Sequence, residues 1–184
     1  MLQCGNECAI MLVMDTKFIK YTKHNVLIMA TLAFPKSSHQ SGLHYFRRNP
    51  HPKKEDHCDC GVRSICLAFD LPYNKVWKAA TKVKREWAGY YYDQWGRKKK
   101  SQVTATSSLS KGELIRTLWE LDIHDWEYTP ISRGTKFHAK HLPDHCIAAQ
   151  ADHWVCVKDG AIWDSWDSRG ARPKRLEGYF SLCA

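Results

Sequence analysis

Apolar positions in the middle of the chain recur with a helical period. Val62, Ile65, Cys66 and Phe69 lie three and four residues apart, which predicts a buried helix opening at Asp59-Cys60. Asp70-Leu71-Pro72 interrupts that pattern, and Pro72 stands near the start of a second helix. Val76, Trp77, Ala80, Val83 and Trp87 mark its buried face, and Gly89 ends it. Ser110-Lys111-Gly112-Glu113 reads as a capping box that opens a third helix, with Leu114, Ile115, Leu118 and Leu121 inward. From about Asp144 the period changes to that of strands. Cys146–Gln150 is a short apolar run, His153–Val157 alternates, Lys158-Asp159-Gly160 supplies a turn, and Ala161–Trp166 runs back. Tyr179–Cys183 reads as a last strand. Helices followed by antiparallel strands predict an α+β fold.

The N-terminal part has a different texture. Ala9–Met14 and Val26–Phe34 are strand-like patches with Lys17, Lys20 and Lys23 between them, and Pro35–Pro52 is loop-like in composition. The expected division is an arm over residues 1–50 and a domain over 51–184.

Lys and Arg exceed Asp and Glu by 28 − 19, a net charge of +9. That charge comes in short pieces such as Arg47-Arg48, Lys53-Lys54 and Lys98-Lys99-Lys100, which read as a solvated surface and identify no partner. No apolar run reaches the ~18–20 residues of a membrane span. Eight cysteines without a secretory signal are expected to be free thiols in a reducing, cytoplasmic compartment.

The chemistry-bearing residues come from both halves of the domain. Asp59 as N-cap places Cys60 in the first helical turn, where unpaired N–H groups and the helix dipole favour a thiolate. If Asp159 and Gly160 are the central residues of a type I′ turn, Val157 pairs with Ile162, Val155 with Asp164 and His153 with Trp166. His153 and Asp164 then share a face as diagonal neighbours, with Cβ atoms roughly 7 Å apart. Should the Cys60 helix pack on that face, Cys60, His153 and Asp164 fall in series as nucleophile, base and orienter. Asp167 is the next acid along, Cys156 points to the opposite face, and Arg63 is expected in an ion pair beneath the site.

Asp59-Cys60-Gly61-Val62-Arg63-Ser64-Ile65 followed by Leu71-Pro72-Tyr73 resembles the opening of papain-like cysteine peptidases encoded by tailed bacteriophages. His153-Trp154-Val155-Cys156-Val157-Lys158-Asp159-Gly160 with Asp164-Ser165-Trp166-Asp167 is similar to the matching ending, so the resemblance covers about residues 57–168. It implies a papain-like fold with the cysteine helix packed on an antiparallel sheet, and catalytic roles for Cys60, His153 and Asp164. It also implies a protein or peptide substrate, with a host bacterial protein among those expected from a phage source, no cofactor and no membrane. The family often has Asn before Asp-Cys, where this chain has Cys58. The oxyanion donors are therefore expected from the backbone of Cys60 and Gly61, with His57 or Gln150 adding a side chain.

Two other readings compete. His57, Cys58 and Cys60, with Cys4 and Cys8 at a distance, contain metal-ligand types, but C-x-C is too tight for an ordinary zinc knuckle. The basic pieces with Tyr90–Tyr92 and Trp95 have the composition of a nucleic-acid surface, without a recognisable motif. Within the thiol-enzyme reading, peptidase, deamidase, transglutaminase and deconjugating chemistry all proceed through a thioester.

Overall fold

The computed structural model describes residues 37–54, 57–92, 94, 96–100, 103–172 and 174–183. The early apolar patches, Cys4, Cys8 and Trp95 lie outside the described residues, as do the side chains of Tyr90–Tyr92.

Three helices form where the apolar spacing places them: α1 Cys60–Phe69, α2 Tyr73–Ala88 and α3 Lys111–Glu120. Helix α1 ends at Asp70, which adopts a left-handed conformation (φ 50°) and returns its N–H to the carbonyl of Cys66. Pro72 is the N-cap of α2 and Gly89 its C-cap. The box at α3 is complete, since Ser110 Oγ accepts from the Glu113 N–H and the Glu113 carboxylate accepts from the Ser110 N–H. One expectation fails on α2. Trp87 is 52% exposed, and buried Lys84 takes an inward position beside Val83.

The strands are β1 His44–Arg47, β2 Tyr90–Tyr92, β3 Lys98–Lys100, β4 Trp126–Pro130, β5 His145–Gln150, β6 His153–Lys158, β7 Ala161–Asp164 and β8 Leu176–Leu182. β2 and β3 pair with each other, and the rest form a six-stranded sheet in the order β1-β7-β6-β5-β8-β4. This sheet is mixed where an antiparallel one was expected, because β1 runs parallel to β7. β1 also lies inside the stretch expected to be a loop, on the N-terminal side of the expected boundary at residue 50. The β6–β7 hairpin has the expected register, Val157 opposite Ile162. Its turn residues Asp159 (φ 54°) and Gly160 (φ 70°) are both in the positive-φ region that a type I′ turn requires. Strand β7 stops at Asp164 and does not continue to Trp166.

Both faces of the sheet are apolar, and both are covered. Ile147, Ala149, Trp154, Cys156 and Phe180 pack with Val62, Ile65 and Cys66 of α1 and with α2 and α3. Cys146, Ala148, Val155, Val157, Ile162 and Leu176 form a second core with Leu43 and Phe137. Helix α1 therefore lies on the Trp154/Cys156 face, not on the Val155/Val157 face where the strand alternation puts His153.

Candidate active site

The Cys60 end of α1 meets the sheet where β7 comes away from β6. The β5–β6 connection is a two-residue turn, Ala151-Asp152, so Gln150 and His153 are the closing pair and bond to each other. The N–H of the next residue, Trp154, then points the other way, towards β7. Pairing between β6 and β7 stops at Cys156 opposite Trp163, so that N–H has no ladder partner there, and it donates to the Cys60 thiol instead. His153 reaches Cys60 around the start of β6, which is how the two meet although the helix covers the other face.

His153 is held from both sides. Its Nε2 donates to Asp164 Oδ2 at 2.7 Å, which leaves Nδ1 as the ring nitrogen for the hydrogen bond with Cys60. Trp166 covers the imidazole with ring centroids 5.0 Å apart, and Lys174 sits over the Trp166 ring. The other acid considered from sequence, Asp167, binds Arg169 through both carboxylate oxygens.

The electrostatics of the pair oppose one another. Burial alone would raise the Cys60 thiol. The His153 hydrogen bond, the Trp154 N–H, the charge of His153 and the Ser108 hydroxyl outweigh it and hold the thiol below its ordinary value. For His153, burial works against the imidazolium. Hydrogen bonds to Asp164 and Cys60, and the charges of both, overcome it and raise the ring to about 9. The two shifts work in one sense, towards a thiolate beside an imidazolium. Burial acts in the same direction on the other core thiols but is not outweighed there, and it pushes Cys66 and Cys156 up to about 12.

Asp59 does not cap α1 with its side chain, as the sequence suggested. It is buried, with Oδ1 3.2 Å from Arg63 Nε and Oδ2 accepting from the Tyr73 hydroxyl at 2.6 Å. The first-turn N–H groups of α1 are thus not taken by a side-chain cap and remain directed past Cys60. Gly61 is needed there for packing as well. A Cβ at this position would lie 3.0–3.1 Å from three atoms of Leu109.

The segment after β3 supplies a wall that periodicity did not reveal. Thr81, Lys84 and Trp154 anchor it through the Ala105 N–H and the carbonyls of Ser108 and Leu109. Ser108 Oγ comes within 3.9 Å of Cys60 Sγ. A cleft of about 280 Å³ opens between Ser108–Lys111, Tyr128 and the Gln150–Trp154 turn, so Ser108 and His153, both in contact with Cys60, border it. Gln150 is 1% exposed beside His153, and neither of its amide atoms has a hydrogen-bond partner. The contacts described for His57 are an edge-on packing against His51 and a carbonyl that accepts from Arg63. Among the described residues no three His, Cys, Asp or Glu side chains gather as a metal-binding group, and no helix is long and apolar enough to cross a membrane.

Comparison of this chain with known protein families, characterised proteins and solved structures found no match.

Proposed function

We propose that this chain is a cysteine-nucleophile acyl-transfer enzyme with a papain-like arrangement, acting as a peptidase on a protein or peptide. The observation that supports it is the series Cys60–His153–Asp164: a helix N-terminal thiol, an imidazole bonded to it, and a carboxylate 2.7 Å from the far ring nitrogen. In this mechanism the Cys60 thiolate attacks the carbonyl carbon, and the first-turn N–H groups of α1, that of Cys60 foremost, take the oxyanion. The C–N bond breaks as His153 gives its proton to the leaving amine. Water, deprotonated by His153, then hydrolyses the thioester and frees Cys60. Asp164 keeps His153 in the tautomer that presents Nδ1 to sulfur.

The test is mass-spectrometric mapping of alkylation across the cysteines from about pH 4 to about pH 9. Trapping of a thioester from an activated peptide ester follows in the same preparation. A Cys60 that reacts fastest and stays reactive near pH 5, and that carries the acyl group, supports the reading. A Cys60 with the profile of exposed Cys58 overturns it.

A further inference from the structure

One buried polar chain runs from α2 to the carboxylate that holds His153. The Tyr73 hydroxyl donates to Asp59 Oδ2 at 2.6 Å, and Asp59 Oδ1 lies 3.2 Å from Arg63 Nε. Arg63 Nη1 donates to Ser165 Oγ at 2.8 Å, and the Ser165 N–H donates to Asp164 Oδ1 at 2.7 Å. Asp164 Oδ2 then accepts from His153. Asp59, Arg63, Ser165 and Asp164 are all buried.

The placement of these groups matters for a specific reason. Asp164 is the last residue of β7, and beyond it the ladder no longer fixes the backbone. A carboxylate at a strand end turns freely unless one oxygen is tied down. Here the Ser165 N–H ties Oδ1, which points Oδ2 at the imidazole. The Ser165 backbone is itself aimed by its hydroxyl, which Arg63 grips from one turn beyond Cys60 on α1. Nucleophile and orienter are thus tied to one another by a route that does not pass through His153.

We propose that Ser165 and Arg63 are positioning residues for the Cys60–His153 pair, acting through Asp164. The inference rests on the catalytic reading above. Around the pair the ionisable groups include Asp164 from β7, Asp59 at the N-cap of α1 and Arg63 within it, Tyr73 from α2, Lys174 over Trp166 with the Asp167–Arg169 pair beyond, and Lys111, Asp152 and Glu177 along the cleft. Among these only Asp164 bonds to the imidazole.

Ser165→Ala removes the hydroxyl that accepts from Arg63 Nη1 and leaves every charge in place, so it is the informative variant. The experiment follows Cys60 alkylation against pH in the full-length wild type, Ser165→Ala, Ser165→Thr and Asp164→Asn, with a melting temperature for each. The expected result is that Ser165→Ala raises the pH of half-maximal Cys60 reactivity by roughly one unit, in the direction of Asp164→Asn. Ser165→Thr, which keeps the hydroxyl, should restore the wild-type profile, and the melting temperature should not track the pH shift. If Asp164→Asn moves the profile but Ser165→Ala does not, the positioning role is wrong and the catalytic reading stands. If wild-type Cys60 titrates as an ordinary thiol, both fall together. A shift that Ser165→Thr fails to restore also overturns the role assigned to the hydroxyl.

Discussion

Among the described residues three groups of thiols differ in burial and charge, and that difference is measurable residue by residue. Cys60 is held low by His153 and the Trp154 N–H, whereas burial raises Cys66 and Cys156 to about 12 and raises Cys146 as well. Cys58 and Cys183 are exposed. Alkylation of the folded protein should therefore proceed at Cys60 first, with the exposed Cys58 and Cys183 reacting before any core thiol. The three core thiols should react only on unfolding. On the proposed function, Asp164→Ala should lower turnover of an activated peptide ester by roughly 10²–10⁴, the range of a positioned acid–base group. Asp167→Ala should leave turnover near wild type, because Asp167 is committed to Arg169. Comparing the two rates decides which acid serves His153. The His153–Asp164 contact was legible in the sequence because a two-residue turn fixes strand register, and register fixes which side chains are diagonal. Ser108, Ser165 and the Trp154 N–H were not legible. Each acts from a loop or through backbone that departs from its ladder, where no periodicity marks it.

At the scale of elements, the three helices followed from apolar spacing, but which face α1 covers did not. Alternation puts His153 with Val155 and Val157, yet Trp154 and Cys156 make the opposite face equally apolar, so the pattern favours neither. β1 and β4 escaped for a related reason. Each is a short strand at one end of the strand order, His-Tyr-Phe-Arg or Trp-Glu-Tyr-Thr-Pro, whose sequence carries little alternation. What joins α1 to the cleft wall is steric. Gly61 admits Leu109, and the Leu109 carbonyl in turn accepts from Trp154 Nε1. Gly61→Ala asks Leu109 to yield by a few tenths of an ångström in a core position, an overpacking cost of about 1–3 kcal/mol. The expected outcome is a lower melting temperature together with slower Cys60 alkylation, since the displaced segment carries Ser108. A melting temperature equal to wild type would show that the wall is looser than the contact implies.

For the molecule as a whole, the pair at the site links folding to pH, and the sign follows from His153. Its folded value, about 9, lies above the ordinary 6.5. The contribution of the protonated ring is therefore complete below pH ~6.5 and is lost as pH rises through about 9. The melting temperatures of wild type and Asp164→Asn should differ most near pH 6 and converge above about pH 9; a constant gap across that range would refute the linkage. A second whole-molecule consequence concerns β1. Its four residues pair with Ala161–Asp164, the Arg48 N–H donates to the Asp164 carbonyl at 2.7 Å, and Leu43 just before it fills the second core. A chain begun at residue 51, the boundary that composition suggests, removes all of this. It uncovers the hydrogen-bonding edge of β7 and loses the burial of Leu43, itself worth roughly 1.5–3 kcal/mol. It also takes away the strand that backs Asp164. Against a control chain begun at residue 37, the residue-51 chain should melt lower, bind a hydrophobic dye and lose the acid reactivity of Cys60. Equal melting and equal Cys60 profiles for the two chains would mean that β1 only decorates the sheet edge and that the orienting carboxylate is held from the Ser165 side alone.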